Sequence, residues 1–185
     1  MKKICFLLLK ISGWTIEKEI PIESHRAVLV VAPHTSAWDF YYGKLAMIWM
    51  GLNVRYLIKK EAFKFPVGYF LKKMGAMPVD RQQVRKLPIH AAKLFEENEK
   101  LTLMIAPEGT RQYTENWKKG FYFIATQANV PIVLAYMDWK TRRGGIGKVI
   151  YPTGNYEQDL KEIQDFYKGM QGKHKGQFNL ENHEA

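Results

Sequence analysis

The run Ala27-Val-Leu-Val-Val-Ala32 constrains this chain most, because it is an unbroken apolar stretch in which both alternating faces are greasy. A strand of that kind must be covered on both sides, which calls for helices above and below a largely parallel sheet. Helical segments should then alternate with strands, and the remaining sequence follows that pattern. Apolar spacing predicts a helix over 37–50, closed by Gly51 where a left-handed cap is expected. Further strands are expected near 54–58, 76–79, 101–105, 132–136 and 148–151. Helices are expected near 67–74, from Pro88 onward, near 119–128 and over about 157–170. Gly144, Gly145 and Gly147 read as a hairpin-like turn. These expectations define an α/β class: a single domain with a central, largely parallel β-sheet flanked by helices. With 185 residues, 46% of them hydrophobic, the chain can bury one sizeable core. That domain is expected over 15–170, preceded by a distinct segment at 1–14 and followed by a polar tail over 171–185 with little to bury.

Twenty-eight Lys and Arg against 18 Asp and Glu leave a net charge of +10, which favours anionic partners. Nucleic acid, anionic lipid and phosphorylated metabolites all satisfy that condition. The basic residues are scattered along the chain, however, with no helix-turn-helix, zinc-finger or aromatic RNA-binding motif, so no nucleic-acid partner is expected. Cys5 is the single cysteine, which excludes an intrachain disulfide and points to a reducing, cytoplasmic compartment. The six apolar residues Ile4 to Leu9 lie between Lys2, Lys3 and Lys10. They fall far short of the ~20 needed to span a bilayer and short of the roughly 7 to 15 in a secretory signal. With Trp14, residues 1–14 form either a membrane-interface helix or a helix of the core.

Three expected strands end in polar groups: Ala-Pro-His34, Pro-Val-Asp80-Arg81, and Ala-Pro-Glu108-Gly109-Thr110-Arg111. In a parallel sheet such ends share one edge, where ligands bind, so His34, Asp80, Arg81, Glu108 and Arg111 are expected around one pocket. His34 and Asp39 suit a general base and the carboxylate that orients it, although Ser36 and Asp39 equally form a capping box. Gly109 permits close backbone approach and Arg111 can grip a phosphate through two parallel hydrogen bonds; alternatively the segment is a solvated surface turn. None of the three serines, Ser12, Ser24 and Ser36, lies in a G-x-S-x-G elbow, and the five histidines show no metal-binding spacing. Neither a serine acyl-enzyme nor a metal site is expected.

Taken in order, His34-T-S-A-W-Asp39, G-A-M-P-V-D-Arg81, P-Glu108-G-T-Arg111 and Val130-Pro131-Ile132-Val133 resemble the four sequence blocks of the glycerolipid acyltransferase family. Its best-known bacterial members are lysophosphatidic acid acyltransferases. The resemblance covers about residues 27–137 and implies a glycerol-3-phosphate acyltransferase-like fold. It also implies a reaction without a covalent intermediate or cofactor. His34, oriented by Asp39, would deprotonate an acceptor hydroxyl that attacks the thioester of a co-substrate, acyl-CoA or acyl carrier protein. Glu108, Gly109, Thr110 and Arg111, with Arg81, would correspond to acceptor-binding positions, and Lys60 to a lysine near the acceptor phosphate. Val130, Pro131, Ile132 and Val133 would correspond to the acyl-donor region, or else form an ordinary core strand. The implied acceptor is a lysolipid, lysophosphatidic acid first and a lyso-amino-acid lipid or another lysolipid as alternatives. The implied setting is the cytoplasmic face of an anionic membrane. Many bacterial members carry a longer N-terminal helical segment, whereas 33 residues precede His34 here.

Overall fold

A computed structural model describes residues 1–79, 87–178 and 180. In chain order the elements are α1 (Lys2–Ile11), β1 (Thr15–Ile16), β2 (Arg26–Ala32), α2 (Ala37–Met50), β3 (Val54–Lys59), α3 (Val67–Lys73) and β4 (Ala76–Val79). They continue with α4 (Leu87–Glu97), β5 (Leu101–Ile105), α5 (Gly120–Ala128), β6 (Ile132–Asp138), β7 (Arg143–Ile150) and α6 (Tyr156–Tyr167). The seven strands form one sheet in the order β1-β7-β6-β2-β5-β3-β4. β7 runs antiparallel to β6, and the other pairings are parallel. β2 therefore lies at the centre, with Val28 level with Ile132 on one side and Leu103 on the other.

The alternation of β2 divides the core in two. Val28, Val30 and Ala32 join Phe95, Phe121, Ile124 and Ile163 from α4, α5 and α6, whereas Ala27 and Leu29 join Leu9 of α1 and Met47 of α2. Strand order accounts for this layering. Successive right-handed crossovers outward from β2 to β3 and β4 put α2 and α3 on one face, and the return through β5 to β6 puts α4 and α5 on the other. α2 occupies the expected span and ends at Gly51, whose φ of 87° permits its N–H to reach the Met47 carbonyl.

Two expectations change. Gly144, Gly145 and Gly147 lie inside β7 rather than in a turn, which instead spans residues 139–142. A Cβ on Gly147 would overlap the Phe166 ring of α6, and one on Gly144 would press on Met137, so these glycines permit close packing. Residues 171–178 are not a loose polar tail. Gln171 donates its backbone N–H to Asp138 and accepts one from Trp139, His174 donates its own to Thr35, and Phe178 lies against Trp117. Backbone hydrogen bonds order this segment, and composition carries no record of them. Finally, α1 serves the core through Cys5 and Leu9 while leaving Ile4, Leu7 and Ile11 in solvent. Among the described residues no helix is long and apolar enough to cross a membrane.

Candidate active site

The carboxyl ends of β2, β5 and β6 meet at one edge, and the chain leaving β2 turns through Pro33 into the start of α2. Ser36 caps that helix, accepting a hydrogen bond from the Trp38 N–H at 3.3 Å. The reciprocal half of the capping box comes from Asp39, whose Oδ2 accepts the Ser36 N–H at 2.6 Å and the Thr35 N–H at 2.7 Å. Its Oδ1 accepts the indole N–H of Trp139, the residue following β6, at 2.6 Å. A carboxylate so engaged is fixed in place. His34 Nδ1 stands 3.9 Å from Asp39 Oδ2, beyond hydrogen-bonding range, so the carboxylate acts on the imidazole through its field. One side chain thus caps α2 and places a carboxylate beside the imidazole.

Glu108 is 2% exposed and turned inward, its Oε1 accepting the backbone N–H of His34 at 2.9 Å. It ties the loop after β5 to the loop after β2, at a position expected to bind the acceptor. Burial raises its pKa to about 7, opposed by the His34 N–H and reinforced by the Asp39 charge. Among the described residues Oε2 is buried without a hydrogen-bond partner, a position better suited to a protonated carboxyl than to an anion. Beneath the same edge, the Tyr167 hydroxyl reaches the carbonyls of Val30 and Ala135, joining α6 to β2 and β6.

His34 lines two adjoining hollows. One is an apolar cavity of about 200 Å³ between α2 and the sheet, lined by Phe40, Gly43, Met47, Met50, Met104 and Met137 among others. The other is an open groove bordered by Gly109, Thr110 and Arg111 from the loop after β5 and by Leu71 from α3. Gly109 adopts a φ of 66°, and its left-handed turn carries Thr110 and Arg111 around the groove's rim. Burial lowers the His34 pKa, Asp39 raises it, and the Arg111 guanidinium lowers it further. The imidazole is thereby held neutral, the form required of a base.

The remaining expected site residues are distributed differently. Lys60 follows β3 and lines another groove, with Met77, Val79 and His90, apart from His34. Arg81, with Asp80, lies outside the described residues. Val130, Ile132 and Val133 are buried. Ile132 pairs with Val28, near the start of β2, and the 130–133 block lines neither hollow at His34. It is core, and the part of β6 that reaches the cavity is Ala135 to Met137. Trp139 is the functional neighbour that the sequence did not reveal, being separated from Asp39 by 100 positions. The available signal was its place just beyond a parallel strand end, at the edge where the other groups converge.

The Acyltransferase family profile matches residues 14–138, and the chain belongs to that family. It is an acyltransferase with the α/β fold described above. Among solved structures it is similar to the 1-acyl-sn-glycerophosphate (LPA) acyltransferase PlsC from Thermotoga maritima, with a TM-score of 0.62 and 21% identity over 89% of this chain and 74% of that one. That likeness establishes a shared fold. No curated protein matches the sequence.

Proposed function

We propose that the protein acylates the free hydroxyl of a lysophospholipid, lysophosphatidic acid in the first instance, using acyl-CoA or acyl carrier protein as donor. The observation that carries this reading is the position of His34 between an apolar cavity and a groove edged by a guanidinium. Methionine side chains adapt to a flexible chain, so the cavity suits the fatty acyl group of the thioester. The groove suits the acceptor, with Arg111 on its phosphate through paired N–H donors. Neutral His34 takes the hydroxyl proton as the acceptor oxygen attacks the thioester carbonyl carbon, and the field of Asp39 stabilises the imidazolium formed. Collapse of the tetrahedral adduct breaks the C–S bond, and the imidazolium returns its proton to the departing thiolate. Neither a cofactor nor a covalent enzyme intermediate enters this sequence.

A lipid acceptor also requires access to a membrane. The exposed apolar side of α1, with Lys2, Lys3 and Lys10 and no acidic residue, suits peripheral attachment to an anionic leaflet, proposed to be the cytoplasmic one. The deciding experiment incubates purified protein with each labelled donor and a panel of lysolipids and reads the products by mass spectrometry. Preferred turnover of lysophosphatidic acid supports the proposal. A clear preference for a lyso-amino-acid lipid removes the phosphate from it, and transfer to no lysolipid removes the lipid acceptor.

A further inference from the structure

α1, α2 and α3 cover one face of the sheet, and the C-terminal end of α3 is fastened to α2. Lys44 of α2 donates to the Met74 carbonyl at 2.8 Å, while buried Gly68 lies so close to the Phe63 carbonyl that a Cβ would overlap it. Leu71 turns toward the groove that holds His34 and Arg111. The outward side is unusual for a soluble surface: Phe65 is 92% exposed, Tyr69 63% and Phe70 59%, with Val67 and Met74 also exposed. Lys64, Lys72 and Lys73 are interleaved with these residues in the chain, and the 63–74 segment contains no acid. An apolar centre with aromatic rings and a lysine border matches the depth profile of a bilayer interface, where rings sit at headgroup level and ammonium groups meet lipid phosphates.

We propose that the 63–74 segment is a second lipid-inserting lip, separate from α1 and placed at the mouth of the acceptor groove. This inference rests on the lipid-acceptor reading above. An acidic acyl carrier protein would also complement the lysines, but the surface continues beyond α3. Trp38 and Tyr41 are exposed at the start of α2, and Ile4, Leu7 and Ile11 are exposed along α1, also bordered by lysines. A compact protein partner would need one such patch; a planar membrane can accept several on the same molecular face. With lips on both sides of α2, the groove would open at headgroup level, and a lysolipid could enter sideways without leaving the leaflet.

Single labelling sites test the lip directly. In the full chain carrying Cys5→Ala, a polarity-sensitive fluorophore is attached to Phe70→Cys, Leu7→Cys or, as a control on the opposite face, Ile89→Cys. Vesicles of phosphatidylcholine with phosphatidylglycerol should blue-shift and brighten the labels at 70 and 7 and leave the one at 89 unchanged. A silent label at 70 with a responsive one at 7 overturns the lip while preserving attachment through α1. Silence at both sites overturns membrane attachment as well, and acyl transfer to a detergent-dispersed lysolipid then reports separately on the proposed reaction. A response at 70 to acyl carrier protein and not to vesicles also overturns the proposal. Without labels, Phe65→Ser with Phe70→Ser should lower partition into the same vesicles roughly tenfold or more, since two rings lose their burial. Its activity on detergent-dispersed acceptor should stay near that of the parent, and unchanged partition would count against the lip.

Discussion

The proposed reaction divides His34 and its neighbours into groups that react and groups that hold, and substitutions should divide along the same line. His34→Ala removes the base and should lower turnover by roughly 100 to 10,000-fold with an unchanged melting temperature. Near-parental turnover in a well-folded variant would exclude the mechanism. Arg111→Lys retains charge and loses the fork, so KM for lysophosphatidic acid should rise more than kcat falls. Because the Arg111 charge helps depress the His34 pKa, Arg111→Gln should move the acidic limb of the kcat/KM profile to higher pH, the lesser part of the shift after burial. Glu108 supplies a stability measurement with a definite sign. Folded, it keeps its proton up to about pH 7, whereas the unfolded chain releases it near the ordinary value of 4.5. The folded state therefore binds more protons within that window, and the stability from this group falls as pH rises through it, by on the order of 3 kcal/mol. Glu108→Gln lacks this dependence, so its melting temperature relative to the parent should climb between pH 4.5 and 7, and a constant difference would refute the assignment. His34 and Glu108 were visible as site candidates because both end strands. That Glu108 points inward was not visible, since the sequence cannot show which side chain of a strand-end loop meets the backbone of the neighbouring loop.

At the scale of elements, strands and helices with strong periodic patterns were legible nearly to the residue, as α2 and β4 show. Misreadings occurred where a residue type has two uses. Glycines in β7 resemble turn glycines until Phe166 and Met137 are seen to need the space. α1 resembles either an interface helix or a core helix because one apolar side is buried and the other is bare. Deleting residues 1–10 takes Leu9, 1% exposed, out of the core and should destabilise the fold by at least the ~2–5 kcal/mol typical of a large buried truncation. Membrane binding is better separated from folding by Ile4→Ser with Leu7→Ser, which should lower vesicle binding at an unchanged melting temperature. Within α2, Gly43 lines the cavity and has no atom within 4 Å of a Cβ built on it. Gly43→Leu should favour the helix and occupy the cavity, reducing kcat/KM for long acyl donors more than for short ones, measurable across a chain-length series.

For the whole molecule, the parallel sheet gathers distant segments at one edge, and that principle made the site's location inferable from sequence. Which distant segments arrive there was less accessible: Trp139 and His174 reach Asp39 and Thr35 through an indole and a backbone N–H that no motif marks, and Gln171 holds the end of β6. Their position in the chain sets a schedule. During synthesis, all four family blocks have been made by residue 133, yet the indole that fixes Asp39 and the segment that reaches Thr35 do not exist until 139 and 174. A growing chain thus holds His34 in an unfinished frame until residue 174 has been made, and joining residue 35 to residue 174 carries the loop-closure entropy of the long segment between them. The far segments thus act as a late-made clasp on a loop written at least 100 positions before them.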